Sequence, residues 1–103
     1  MYGLIGRFKV QPGARDRLAS ILLQGTKAMP GCLSYVVAAD SKDPDSLWVT
    51  EIWESAASHQ ASLSLPAVMQ AISQGRPLIA GVGERFETAP LGGHGVQALE
   101  NRV

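Results

Sequence analysis

A single cysteine, Cys32, stands in a chain of 103 residues. It has no partner for an internal disulfide and no CxxC neighbour for metal or redox work, which fits a reducing cytoplasm. An excess of charge of either sign is missing too: nine lysines and arginines balance nine aspartates and glutamates. Without a net field to steer it toward phosphate backbones or anionic lipid, the chain is expected to take neither nucleic acid nor a membrane as partner. No apolar run approaches the roughly 20 residues that span a bilayer, and no basic start precedes an apolar stretch as in an export signal. A cytoplasmic location is the expectation. Phosphate-cradling glycine loops are also absent, since "GVGERF" lacks the third glycine of GxGxxG and leads into a strand. What remains is a small ligand or another protein surface.

The chain is 46% hydrophobic and 17% charged, the balance of a globular domain, and its length allows one core. In "YGLIGRFKV" the alternation of Leu4, Phe8 and Val10 against Arg7 and Lys9 predicts a half-buried strand. The period then changes: Ala14, Leu18, Ile21, Leu22, Gly25 and Met29 share one helical face, with Pro12 at the start and Pro30–Gly31 as the stop. "CLSYVVAAD" and "LWVTEIWE" predict two strands joined as an antiparallel hairpin by the turn residues of "SKDPDS". Ser55 is placed to cap a helix from Ala56 to Leu63, and Pro66 opens a further helical stretch broken near Gly75 and Pro77. In "VGERFETAP" Val82, Glu84, Phe86 and Thr88 alternate against Gly83, Arg85 and Glu87, predicting a fourth strand.

The order βαββαβ predicts an α+β ferredoxin-like sandwich over residues 1–90, a four-stranded antiparallel sheet with both helices on one face. The third strand carries large side chains on both parities: Leu47, Val49, Glu51 and Trp53 on one, Trp48, Thr50 and Ile52 on the other. A sheet apolar on both faces with helices for one is expected to bury the second against a copy of itself, making a homodimer. Residues 91–103 form a glycine-rich tail with little to pack on by itself; as an ordered segment it would serve as an arm across the dimer interface.

The segment from Met29 to Ile72, with "KVQPG" before it and "RPLIAG" after it, resembles the antibiotic biosynthesis monooxygenase family of small dimeric α+β barrel proteins. The likeness rests on "PGCLSY", on the E-x-W of Glu51 and Trp53, and on the H-x-x-S-L element of His59, Ser62 and Leu63, which is similar to that of the quinol monooxygenase type. The resemblance implies cofactor-free oxidation of a quinol or a related electron-rich phenol by molecular oxygen. Haem-degrading members of the same family place an asparagine where this chain has Gly6 and a ligating histidine further along than His59, so haem degradation is disfavoured. A non-catalytic dimeric binding protein and a cofactor-free isomerase of a small metabolite stand as alternatives.

Four residues carry the candidate chemistry. Glu51 is a carboxylate in a largely apolar place, suited to hold a proton, or else a structural partner of Arg7, Arg76 or Arg85. His59, one turn into the second helix, is a proton acceptor for a phenol, or else a surface or capping residue. Trp53 and Tyr35 are expected to wall the substrate pocket, against the plainer reading of both as strand residues of the core. No second histidine stands at ligand spacing, so no metal is expected. Cys32 reads as a small buried hydrophobe, and His94 as solvent-facing.

Overall fold

The computed structural model describes residues 1–96 of the chain. Its elements run β1 (Tyr2–Val10), α1 (Arg15–Gly25), β2 (Cys32–Ala39), β3 (Ser46–Trp53), α2 (Ala56–Ser62), α3 (Pro66–Gly75), a 3-10 turn at Arg76–Leu78, and β4 (Ile79–Thr88). The strands form one antiparallel sheet in the order β2-β3-β1-β4, the ferredoxin-like α+β topology expected from the sequence. Of the C-terminal segment, Val96 is buried and its N–H donates to the Gly93 carbonyl. Residues 97–103, where most of the expected arm falls, lie outside the described residues.

Residues paired directly across antiparallel strands share a face. Leu4, Gly6 and Phe8 of β1 face with Glu51, Val49 and Leu47 of β3, and this is the side the helices cover. Leu18 of α1 is fully buried over Val10 and Leu47, with Leu22, Val37, Leu78 and Ile79 around it. The first helix is shorter than its apolar pattern suggested. It starts at Arg15, after a turn in which Gly13 takes a left-handed φ of 77°, and stops at Gly25 rather than near Met29. At that last residue α1 and α3 come into close contact: a Cβ on Gly25 would lie 2.4 Å from that of Ala71, so only glycine fits there.

The fourth strand departs from simple alternation. Gly6 stands opposite Arg85 but Phe8 stands opposite Val82, so Gly83 and Glu84 together face Arg7 across a β-bulge. Val82 therefore shares the helix side with Phe8, while Phe86 shares the opposite side with Ile5. The extra residue is invisible to a period-two pattern, because it exists only relative to the partner strand.

The β2–β3 hairpin is closed by carboxylates. Asp40 accepts the backbone N–H groups of Lys42 and Asp43 at 2.8 and 2.9 Å and the indole N–H of Trp48 at 2.7 Å. Asp43 accepts the Asp45 N–H and the Ser46 hydroxyl. The Trp48 indole first, then the two backbone donors, hold the Asp40 carboxyl down to about 2 from an ordinary 3.8. A carboxyl depressed in the folded state stabilises the fold above its unfolded pKa and loses that contribution as the pH falls through its folded one. Urea unfolding is expected to show stability dropping between pH 4 and pH 2, with Asp40→Asn less stable at pH 7 and less sensitive to acid. An equally steep acid loss in that variant would remove Asp40 from the account.

Candidate functional site

The register of β1 on β3 sets Tyr2 opposite Trp53 at one end of the sheet. Trp53 is 1% exposed, covered by the helix that follows it. That helix, α2, is placed by two local devices. Ser55 caps it, its hydroxyl accepting the Ser58 N–H at 3.1 Å. Gly31, at a left-handed φ of 81°, lets Ser58 lie against the start of β2, where a Cβ would fall 2.5 Å from the Ser58 hydroxyl oxygen. The Glu54 N–H donates to the Gly31 carbonyl and ties the same corner.

So placed, α2 lays the His59 imidazole onto the two rings below. The ring meets Trp53 edge-on at a centroid distance of 5.5 Å and Tyr2 at 5.7 Å, tilted by 36°. The contacts orient the imidazole without occupying its nitrogens, which have no hydrogen-bond partner among the described residues. The H-x-x-S-L element has a structural meaning here. Ser62 donates its hydroxyl to the His59 carbonyl at 2.6 Å, and Leu63, four residues on, projects beside His59.

Beneath His59 and Leu63 lies a cavity of about 310 Å³. Its floor is Leu4, Gly6, Phe8 and Val49, with Glu51 among them; Val82, Glu84 and Arg85 of β4 close its flank. The bulge matters here, since it brings these β4 residues to the cavity. Glu51 does not form an ion pair with Arg7, Arg76 or Arg85 among the described residues. Arg7 is taken by Glu84, through Nε at 2.9 Å and a second contact from Nη2. Glu51 instead accepts the indole N–H of Trp53 at 3.0 Å, the two side chains sharing a face as their spacing requires.

The cavity thus unites His59 and Glu51 but not the two expected walls. Trp53 is too deeply buried beneath α2 to face the space, and acts from below by holding the Glu51 carboxylate and the His59 ring. Tyr35 stands opposite Glu51 on the far side of β3, away from the lining. Burial pushes its phenol far up, and the charge of Glu51 adds to the shift, so Tyr35 stays a protonated donor rather than a base. Cys32 is partly buried, its thiol pushed up by burial and donating weakly to the Ser34 carbonyl. His94 is exposed. Among the described residues no group of three or more His, Cys, Asp or Glu side chains is placed to hold a metal ion.

The residue that pattern reading passed over is Tyr2. It shares parity with Leu4 and Phe8, the one signal that could have assigned it to the site. Its hydroxyl donates to Glu87 at 3.2 Å, and burial followed by that carboxylate raises its pKa.

Residues 1–74 match the antibiotic biosynthesis monooxygenase family. The chain is 61% identical to a Chloroflexus aurantiacus J-10-fl protein provisionally named an antibiotic biosynthesis monooxygenase, over 92% of this chain and 97% of that one, with a TM-score of 0.90. A Deinococcus radiodurans protein of the same provisional name is 25% identical over 90% of this chain and 95% of that one, at a TM-score of 0.74. A Nitrosomonas europaea structure, 13% identical over 88% of this chain and 99% of its own, agrees in fold at a TM-score of 0.79. No protein of curated description matches the sequence. The chain belongs to the antibiotic biosynthesis monooxygenase family; the cavity residues of β1, β3 and α2 lie within the matched region, and Val82, Glu84 and Arg85 of β4 lie beyond it.

The two tyrosines offer a check on this geometry. In an absorbance titration both are expected to ionise above the ordinary value of 10, with Tyr35 last and its step absent from Tyr35→Phe. Ionisation of Tyr35 near 10 would mean that its phenol is not sequestered beside Glu51.

Proposed function

We propose that the protein is a cofactor-independent monooxygenase that oxidises a quinol or a related electron-rich phenol with molecular oxygen, acting as a homodimer. The observation that carries the reading is the meeting of an uncommitted imidazole and a carboxylate at one small, largely apolar cavity. Its volume lies near the lower end of the roughly 300–1,000 Å³ of ligand sites, which suits a small aromatic ring.

The chemistry asked of these side chains is modest. A nitrogen of His59 takes the proton of a quinol hydroxyl, assisted by Glu51, whose negative charge favours the imidazolium that forms. The electron-rich phenolate gives one electron to oxygen, and the resulting radical pair combines to form a carbon–oxygen bond at the ring. The oxygen–oxygen bond then breaks as the same ring carbon loses its proton. One oxygen remains as a carbonyl, and the other leaves as water with a proton returned from His59. Quinol plus oxygen thus gives hydroxyquinone plus water, with every electron supplied by the substrate. The apolar walls of Leu4, Phe8, Val49 and Leu63 keep water from the charged intermediates.

Oxygen uptake by the purified, metal-stripped protein with hydroquinone tests the reaction. His59→Ala is expected to cut the rate by roughly 10²–10⁴-fold while the melting temperature changes little, and Glu51→Gln to lower it less. Uptake no faster than autoxidation would point to a binding protein if the quinol still binds. Substrate proton exchange without uptake would point to an isomerase.

The dimer reading rests on the sheet face away from the helices. Val36 and Phe86 are 52% and 53% exposed there, beside the partly exposed Ile5, Trp48 and Ile52. A contiguous apolar face of this kind is expected to be covered by its copy. Sedimentation at micromolar concentration is expected to show a dimer, and Phe86→Arg a monomer. A monomeric parent chain would overturn the assembly.

A further inference from the structure

Gly6 stands in the middle of β1, where a glycine weakens a strand unless something approaches the backbone closely. The protein itself makes no demand for it. Its φ is not positive, and a Cβ built there would meet only the Glu84 carbonyl oxygen, at 3.9 Å. The space above it is the floor of the cavity. Its cross-strand neighbours are Val49 on one side and Arg85 on the other.

Arg85 is exposed, lines the same cavity, and lies beside the Tyr2 hydroxyl. The carboxylates near it are engaged elsewhere. Glu84 holds Arg7, Glu87 accepts the Tyr2 hydroxyl, and Glu51 accepts the Trp53 indole; none forms an ion pair with Arg85 among the described residues. An arginine at the wall of a largely apolar pocket, without a carboxylate of its own, is a receptor for an anionic oxygen.

We infer that Gly6 and Arg85 select the substrate: a flat aromatic ring lies on the Gly6 backbone, and Arg85 holds a carboxylate carried by that ring. This deepens the function proposed above and rests on the same cavity. Neighbouring strands lie about 4.8 Å apart, so a single ring over β1 reaches toward β3 and β4 together. Repulsion from Glu51 turns the carboxylate toward Arg85 and so fixes which way round the ring sits.

The experiment is anaerobic calorimetric titration at low ionic strength with two probes of like shape, hydroquinone and 2,5-dihydroxybenzoate. The parent protein is expected to bind the carboxylated probe at least roughly tenfold more tightly, a preference that fades as salt is added. Arg85→Gln is expected to remove the preference and Arg85→Lys to restore part of it. Gly6→Ala, for which the strand has room, is expected to weaken both probes several-fold with the melting temperature unchanged or raised. Equal affinity for the two probes, a preference that survives Arg85→Gln, unchanged affinities in Gly6→Ala, or no binding of either probe would each overturn the inference. Because no oxygen is present, its failure is separable from that of the reaction. A protein that prefers the carboxylated probe yet consumes no oxygen would keep this site and lose the monooxygenase reading, and the reverse result would do the opposite.

Discussion

The contact on which the site depends is the stack of His59 over the cross-strand pair of Tyr2 and Trp53. The pair exists because β1 and β3 run antiparallel in a register that ends the two strands together. Trp53 then has three simultaneous tasks: it fills the space under α2, donates to Glu51, and meets the imidazole in a T-shaped contact. Each depends on the helix turning back sharply after Glu54. That turn is possible only because Gly31 yields room to Ser58 and Ser55 satisfies the first helical N–H groups. Loss of the corner would displace His59 long before it disturbed the remote core around Leu18.

The two faces of the sheet are built for different purposes. On the helix side, α1 covers the part of the sheet around Val10, Leu47 and Val37, with α3 packed in turn against α1. The short α2 covers the other part only partially, and Gly6 supplies no side chain to fill the gap, so a cavity remains where the helical layer is thin. The bulge in β4 completes it by setting Val82 on the helix side opposite Phe8 and keeping Arg85 beside Gly6. On the far side no helix is present, and the Arg7 guanidinium lies 5.9 Å from the centre of the Trp48 ring.

Charge is apportioned so that few groups are left to react. Asp40 and Asp43 are spent on the hairpin, Glu84 on Arg7, and Glu87 on Tyr2. Tyr35 is held protonated by burial and by the neighbouring Glu51, and Cys32 is likewise kept from forming a thiolate. Against this background His59 stands out, a titratable ring oriented by aromatic contacts alone among the described residues.

The sequence by itself determined the type and order of the elements, because alternation and helical period are local consequences of which face each residue must bury. It also determined that Glu51 and Trp53 share a face and that Ser55 caps α2, since both follow from spacing along one segment. Tertiary structure alone decided the rest. The need for glycine at position 25 is set by the approach of Ala71 from another helix, and the bulge in β4 has meaning only against β1. Tyr2 joins the site, and Trp53 and Tyr35 leave the cavity wall, through strand register and the depth of α2 on the sheet. Whether Glu51 pairs with an arginine was open for the same reason. Three arginines lay within plausible reach in the sequence, and only the folded chain gives Arg7 to Glu84 and leaves Glu51 with an indole. These are contacts between residues far apart in the chain, and a pattern confined to one segment carries no term for them.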